Sequence, residues 1–373
     1  MSKNNKAVYP KLIRNTDTDI LIKGGGITGM ITAYTLMQAG HRVAVAEKGA
    51  IGSGYTGLIM GEANPADSVY RLSGPGACRL YKKRIDAVAK LSNISDDVKG
   101  SAFSHRQTLY FTDRDDRTDR ILRLYGLCSC EDRTVQLLDN PDTFKDFCFD
   151  MEYGIYSQLG GVADCTELAR RLADFIDING GEIWENTELR QINASKNGGI
   201  TAQTDSEALI DAKYMIDCSG SYENRISCKK VSFFNAECEQ MPEIEQKDFN
   251  CNLTDDYKFT FRACTLRRSV LASLRIPPML AGVKSYGKYN LRRVESMLNA
   301  MFDTNTPIKI RDTHVYTVYE PFGGIPCILQ DKTAGYTLCN TASSPLINAV
   351  VLAEDVLRLI NRNADITFPL KYA

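Results

Sequence analysis

Asp19-Ile-Leu-Ile-Lys-Gly24-Gly25-Gly26-Ile27-Thr28-Gly29, continued by Met30-Ile-Thr-Ala-Tyr-Thr-Leu-Met-Gln-Ala-Gly40 and His41-Arg-Val-Ala-Val-Ala-Glu47, decides how this chain of 373 residues is read. An apolar run, a glycine turn, a helical stretch and a second apolar run ending in an acid make a βαβ dinucleotide-binding unit. Gly24 permits the tight turn off the strand, Gly26 lets backbone approach a pyrophosphate, and Gly29 lets the helix lie close on the sheet. The helix start at Ile27 and Thr28 offers free N–H groups and a partial positive charge to phosphate. Glu47, about 20 residues beyond the glycines, is placed to accept from ribose hydroxyls. A glycine triplet alone is weak. Here strand, helix and terminal acid all agree.

Working outward, Gly40 suits a helix C-cap and Val43–Ala46 an apolar, buried parallel strand. Lys48-Gly-Ala-Ile-Gly52-Ser53-Gly54-Tyr55-Thr56-Gly57 is a second glycine-rich loop. A flexible connector is its plain reading, but its place directly after the ribose acid favours a loop lining the same ligand.

Composition limits the partners. A chain of 373 residues exceeds what one core supports, so two lobes are expected. Apolar content of 43% and charged content of 24% describe an ordinary globular protein. With 45 basic against 46 acidic residues, no broad footprint for nucleic acid or anionic membrane exists. No apolar run approaches the roughly 20 residues of a membrane span. Met1-Ser-Lys-Asn-Asn-Lys has no apolar core behind it, so no secretory signal is expected. Twelve cysteines without a signal then point to a reducing compartment, the cytoplasm. Cys128 and Cys130 lie close in sequence, but with no second pair and only His41, His105 and His314, no metal site is expected.

Along the chain, residues 1–17 read as a lead-in or loose tail, with Tyr9-Pro10-Lys11-Leu12 its one sticky spot. Apolar spacing predicts an amphipathic helix over 76–91, a strand over 108–112, and a surface helix opened by the charged run 113–120. A helix over 166–179 follows, with Thr166 a plausible cap and Gly180-Gly181 closing it. Strand material from 182 leads to the turn Lys196-Asn-Gly-Gly199, and after it to a hairpin, 200–204 with 208–210. Ala212-Lys-Tyr-Met-Ile-Asp-Cys-Ser219-Gly220 then returns to the nucleotide sheet. Between 228 and 318, strand-like pieces at 231–235, 258–264 and 269–274 and one helix, 291–302, suggest a second lobe. Ser344 and Pro345 are start signals for a last helix to Asn361.

These residues together resemble the D-amino-acid-oxidase-type FAD-dependent oxidoreductases. The resemblance rests on the lead-in Tyr-Pro-Lys-Leu, the Asp19–Met30 run, the Gly-Ser-Gly-Tyr-Thr-Gly loop, Ile-Asp-Cys-Ser-Gly-Ser, and Phe322-Gly-Gly-Ile-Pro-Cys. It covers nearly the whole length and fades between 228 and 318. Within the family it is closest to a subgroup that often carries a C-terminal Rieske iron–sulfur domain. No Cys-x-His pair stands here to ligate such a cluster.

The resemblance implies an α/β fold: a Rossmann-like FAD-binding domain from 1–100, 160–225 and 322–373, and an interleaved α+β substrate domain, 101–159 with 226–321, on a mainly antiparallel sheet. It implies FAD as cofactor, extended, with its flavin ring at the junction of the lobes. Gly24, Gly26 and Gly29 match the pyrophosphate turn, Glu47 the ribose acid, and Gly52, Ser53, Gly54, Thr56 and Gly57, after Lys48, the loop near phosphates and ring. Leu189 matches an adenine backbone contact, Ser219 and Gly220 the strand end passing the cofactor, and Ser343 and Ser344 a helix start aimed at the flavin pyrimidine. The implied activity is oxidation of a small amine, amino acid or related molecule by hydride transfer. The expected partners are that substrate and an unidentified electron acceptor; a homo-oligomer is compatible with the sequence.

Three departures stand out. Lys23 ends the first strand where the family has an apolar residue, so it either neutralises phosphate or marks a weakened site. Glu62 stands where the subgroup favours lysine, which alters the charge near the ring. Ala342-Ser-Ser344-Pro345 replaces a glycine-rich turn over the flavin. They support an alternative: a catalytically weakened FAD-binding protein acting as a binding or regulatory partner. An NAD(P)-dependent dehydrogenase suits the second glycine loop and the Ser-Gly turn less well. For substrate pose, a cation or a tyrosine is wanted, and Arg262, Arg275 and Tyr319 are the candidates, against the plain reading of surface arginines and a strand tyrosine. His314 reads as a structural group, and Cys339 as a buried thiol rather than a flavin tether.

Overall fold

The computed structural model describes residues 8–372 apart from 60, 68, 70–71, 73, 101, 113–116, 145–146, 148–150, 196–197, 221–227, 240–248, 254–258, 265–268, 303–306, 322–324, 332–335, 341–343 and 362–369. Among the described residues the strands form three sheets.

The first sheet has nine strands and is centred on Thr16–Lys23, which lies parallel to Leu209–Asp217 on one side and Val43–Ala46 on the other. Glu182–Trp184 extends it in parallel past Val43–Ala46, and Tyr336–Asn340 past Leu209–Asp217. Alternation along the central strand sends Ile20 and Ile22 to one face and Leu21 to the other, all fully buried. That double burial is why Ile20, Leu21 and Ile22 run apolar without alternation. Helices Ile27–Gln38, Cys165–Ile178 and Pro345–Ile360 cover the first face; Trp184, Leu189, Ile200, Ile210 and Leu12 fill the second.

The second sheet has eight strands, in the order Ile310–Pro321, Cys228–Cys238, Ser269–Ile276, Phe259–Cys264, Phe249–Leu253, Gln107–Thr112, Tyr153–Ser157 and Gln136–Leu138. All neighbours are antiparallel except Phe249–Leu253 with Gln107–Thr112. On one face, Phe234, Leu274, Phe261, Leu109 and Phe111 pack with Val294 and Leu298 of the helix Lys284–Met301 and with Phe302, which caps it. The register then puts Phe233, Asn235, Ser273 and Tyr316 together on the other face, toward the cofactor loops. A small third sheet, Glu62–Ala63 with Gly161–Ala163 and Phe103–His105, lies between the two.

Several elements differ from the sequence reading. The helix expected at 76–91 is Pro75–Asp97, because Ile94 prolongs its buried stripe. Asp164, not Thr166, caps the next long helix: its carboxylate accepts from Glu167 N at 2.9 Å, and Thr166 sits inside the first turn. The hairpin arm at 208–210 and the returning strand are one element, Leu209–Asp217, paired with Ile200–Thr204 and the central strand at once. The helix expected at 291–302 begins at Lys284. The surface helix is Thr118–Cys128, with Ile121, Leu124 and Cys128 turned inward; 113–116 lie outside the described residues. The lead-in is tied down from residue 8. Glu185, buried at the end of the Glu182–Trp184 strand, accepts from the backbone N–H groups of Val8 and Tyr9, and Lys11 pairs with Asp205 at 2.6 Å.

Candidate functional site

The glycine turn is a fitted cradle. Gly24 has φ +106°, where a side chain is strained, and a Cβ there would stand 3.0 Å from Ser219 backbone. A Cβ on Gly29 would lie 1.9 Å from the Gly24 carbonyl oxygen, so only glycine lets the helix rest on the turn. Gly26 caps the helix with no side-chain bond, leaving its first N–H groups for a ligand, except that Ile27 N donates to Thr56 Oγ1 at 3.1 Å. That bond docks the second glycine loop onto the helix start. Gly54–Gly57 forms a single 3-10 turn there, and Gly52 N donates to Gly25 O at 3.0 Å.

Glu47 is held by backbone. Gly25 N donates to its Oε2 at 2.7 Å and Gly49 N to its Oε1 at 2.8 Å. A carboxylate offers about four lone-pair positions, so two remain for ribose hydroxyls. The loop is fixed from behind by Glu185, whose Oε1 accepts from Ile51 N at 2.5 Å. Lys48 is exposed and Leu189 buried. Ser219 turns back, its N–H and hydroxyl both donating to Asp217 Oδ1, and Gly220 follows at φ +76° with open space around it.

Lys23 does not bring an unpaired charge to this turn. Its Nζ lies 2.8 Å from Oδ2 of Asp217, its partner in the parallel register, and the Asp217 side chain is 4% exposed. Strand alternation puts the two side chains on one face, and the pair is neutral as a unit. Ser344 caps the last helix without a side-chain bond to it; its hydroxyl is bonded to Asp67. Ser343 and Ala342 lie outside the described residues. Next to this helix, the buried guanidinium of Arg84 donates to Asn348 Oδ1 at 2.8 and 3.0 Å.

Opposite the cradle stands the inner face of the eight-stranded sheet. Asn235 Nδ2 donates to Leu58 O at 2.6 Å, and Tyr55 closes on Tyr316 with ring centroids 5.8 Å apart, so the cofactor loop and the sheet meet here. Asn235 Oδ1 accepts from Ser273 Oγ at 2.7 Å, and Phe233 stacks on Tyr316 at 5.2 Å. Burial first, with the fields of Tyr55 and Glu62 adding to it, raises the Tyr316 hydroxyl and keeps it protonated. Glu62 itself is pushed up to about 7 by burial, with Asp67 adding to the rise and Arg262 opposing it.

The structure separates the three pose candidates. Arg262 stands within electrostatic reach of Glu62. Arg275 is tied to buried Glu320, Nη2 to Oε2 at 3.0 Å, which Lys229 also approaches at 3.3 Å. Tyr319 has the opposite strand parity to Tyr316; it lies under Lys230 Nζ at 5.3 Å and packs against the Leu12 and Leu329 cluster. His314 pairs with Asn235 across the strands, and the Cys339 side chain lies outside the described residues. Sequence reasoning missed Asn235, Ser273 and Tyr316 because they sit on unremarkable alternating strands. Only the register joins them.

The cradle fits FAD: two glycines that exclude a Cβ, an uncapped helix start and an anchored acid converge on one edge of the sheet. The family model for FAD dependent oxidoreductase matches residues 19–241. Gamma-glutamylputrescine oxidoreductase of Escherichia coli (strain K12) is 23% identical over 238 residues, 59% of this chain and 53% of that protein. A Bacillus subtilis (strain 168) protein named for a Rieske 2Fe-2S iron-sulfur centre is 24% identical over 228 residues, 57% of this chain and 42% of that one. The chain thus matches about half the length of these curated relatives. Glycine oxidase from Geobacillus kaustophilus has the same fold, with TM-score 0.79 at 16% identity, covering 93% of this chain and 95% of that one. The match of the family model over more than half the chain, joined to a cradle that fits its cofactor, makes this protein a member of the D-amino-acid-oxidase-type family of FAD-dependent oxidoreductases.

Proposed function

We propose that this chain oxidises a small amine or amino acid by hydride transfer to FAD held at the junction of the two large sheets. The observation that carries the reading is that junction: a wall of buried Asn235 and Ser273 with half-buried Phe233 and Tyr316 meets the loop at Tyr55 and Leu58 that follows the glycine cradle. The names of two relatives, gamma-glutamylputrescine oxidoreductase and glycine oxidase, support a substrate among nitrogen compounds. FAD supplies the hydride acceptor. The chain's own residues bind and orient. Gly24–Gly29 and the helix start receive the pyrophosphate, Glu47 the ribose, and the Gly52–Gly57 loop follows the phosphates toward the ring. Ser219, Gly220 and Leu189 would contact the same cofactor, and Ser344, at the start of the last helix, would serve its flavin end. Arg262 and the aromatic wall orient the substrate and exclude water.

The rival reading, a flavin-binding partner without turnover, draws on Lys23 and on the Ala342–Pro345 turn. Pairing with Asp217 removes the first reason; Ala342 and Ser343 lie outside the described residues. The expected outcome is a yellow purified protein that is bleached anaerobically by at least one member of an amine and amino-acid panel. Retained FAD that no member reduces would reject turnover and favour the partner reading.

A further inference from the structure

The strand Glu62–Ala63 carries the chain from the cofactor loop into the junction with the eight-stranded sheet. There Glu62 Oε1 is buried with no hydrogen-bond partner. Such an atom is strongly unfavourable unless something else satisfies it. Arg262 acts on Glu62 electrostatically but does not satisfy Oε1. The surroundings are aromatic: Tyr316 lies in the Glu62 field, with Phe233 stacked on it and Tyr55 closing the other side. An acceptor oxygen without a donor, within electrostatic reach of an aromatic cluster, is complementary to an ammonium group. That group donates N–H bonds and is drawn to aromatic faces.

Resting on the amine-oxidation reading above, we propose that Glu62 receives the protonated nitrogen of the substrate and accepts its proton, so that this chain selects cationic amines. The step balances. One N–H bond breaks with its electron pair left on nitrogen, and one O–H bond forms on Glu62. An ammonium and a carboxylate become a neutral amine and a neutral acid, with nothing oxidised. The amine then holds the free lone pair that later loss of a hydride from its carbon requires.

Burial lifts Glu62 to about 7, a proton affinity suited to a base near neutral pH. The other ionisable groups facing it are Arg262, Asp67, Tyr316 and, beside Gly61, Cys165. Burial raises Tyr316 and takes Cys165 up to about 12, so neither titrates near neutrality. His105 lies on the far strand of the small sheet and is exposed.

The test uses the FAD-loaded chain and three probes of one length, n-butylamine, 1-butanol and butyrate, read by the change each makes in the flavin spectrum and in the melting temperature. Above pH 8 the wild-type chain binds butylamine at least tenfold more tightly than the other two, and the preference fades as pH falls through about 7. Glu62→Gln keeps FAD and loses the preference, while Glu62→Asp restores part of it. Charge-blind binding by the wild type, no butylamine binding above pH 8, or an unchanged preference in Glu62→Gln overturns the assignment. If Glu62→Gln fails to hold FAD, the decision passes to Glu62→Asp, whose indifference to charge overturns it equally. Charge-selective binding without bleaching by any amine would sink the oxidation reading and leave the ammonium site standing.

Discussion

Two carboxylates enter the interior on opposite sides of the junction. Asp217, at the end of the nine-stranded sheet, is fully engaged: Lys23 takes one oxygen, and the Ser219 amide and hydroxyl take the other. Glu62, on the small sheet, shares a field with Arg262 but leaves Oε1 without a donor. The first arrangement is closed and holds the strand ends in register beside the cradle. The second is open to a ligand. A buried charge is therefore read by what its lone pairs meet, and the Lys23 that looked disruptive in sequence belongs to the closed kind.

The closed side is expected to break hardest at Gly29. Gly29→Ala drives a Cβ against the Gly24 carbonyl, which neither helix nor turn can yield without moving the cradle. Urea unfolding should show a loss of about 3 kcal/mol, and the purified variant should be colourless. A stable, yellow Gly29→Ala protein would mean that the turn is not the pyrophosphate site.

Next in size is Asp217→Ala, which strands Lys23 and the Ser219 donors. Because the Lys23 side chain is 25% exposed, the loss falls short of a fully buried pair, between about 2 and 3 kcal/mol. Removing both charges while keeping the acceptor for Ser219, Lys23→Met with Asp217→Asn, should recover stability to within about 1 kcal/mol of wild type. No recovery would show that the pair holds more than its own charges.

The open side has a smaller effect with the opposite sign. The folded chain holds Glu62 protonated up to about 7, against 4.5 for the free side chain. This contribution to stability is complete below 4.5 and disappears as pH rises through 7, where the fold must accept a buried carboxylate. Without ligand, Glu62→Gln should therefore be more stable than wild type by roughly 2 kcal/mol at pH 8 and equal to it at pH 4. Equal melting at both values would place Glu62 in water and end the contrast with Asp217.

Much of this contrast could be read from the chain before any coordinates. Gly24, Gly26, Gly29 and Glu47 carry local signals, since a turn, a close backbone approach and a strand end are each set by residues near in sequence. Element edges were less legible. Thr166 looked like a cap, but Asp164 is better aimed at the free Glu167 amide. Tyr319 is the tyrosine that the sequence offers, yet strand register turns it to the face opposite Tyr316.

The sequence by itself determined the nucleotide unit, the family and FAD, because the cofactor's pyrophosphate imposes spacing on a few consecutive residues. The tertiary structure alone decided that Lys23 is neutralised, that Arg275 is committed to Glu320, and that Glu62, Arg262 and Tyr316 share one junction. The physical reason is sequence separation. Charges and hydrogen bonds act over a few ångströms, and Lys23 with Asp217, or Glu62 with Arg262, come within that range only after parallel pairing and sheet register fold about 200 residues of intervening chain out of the way.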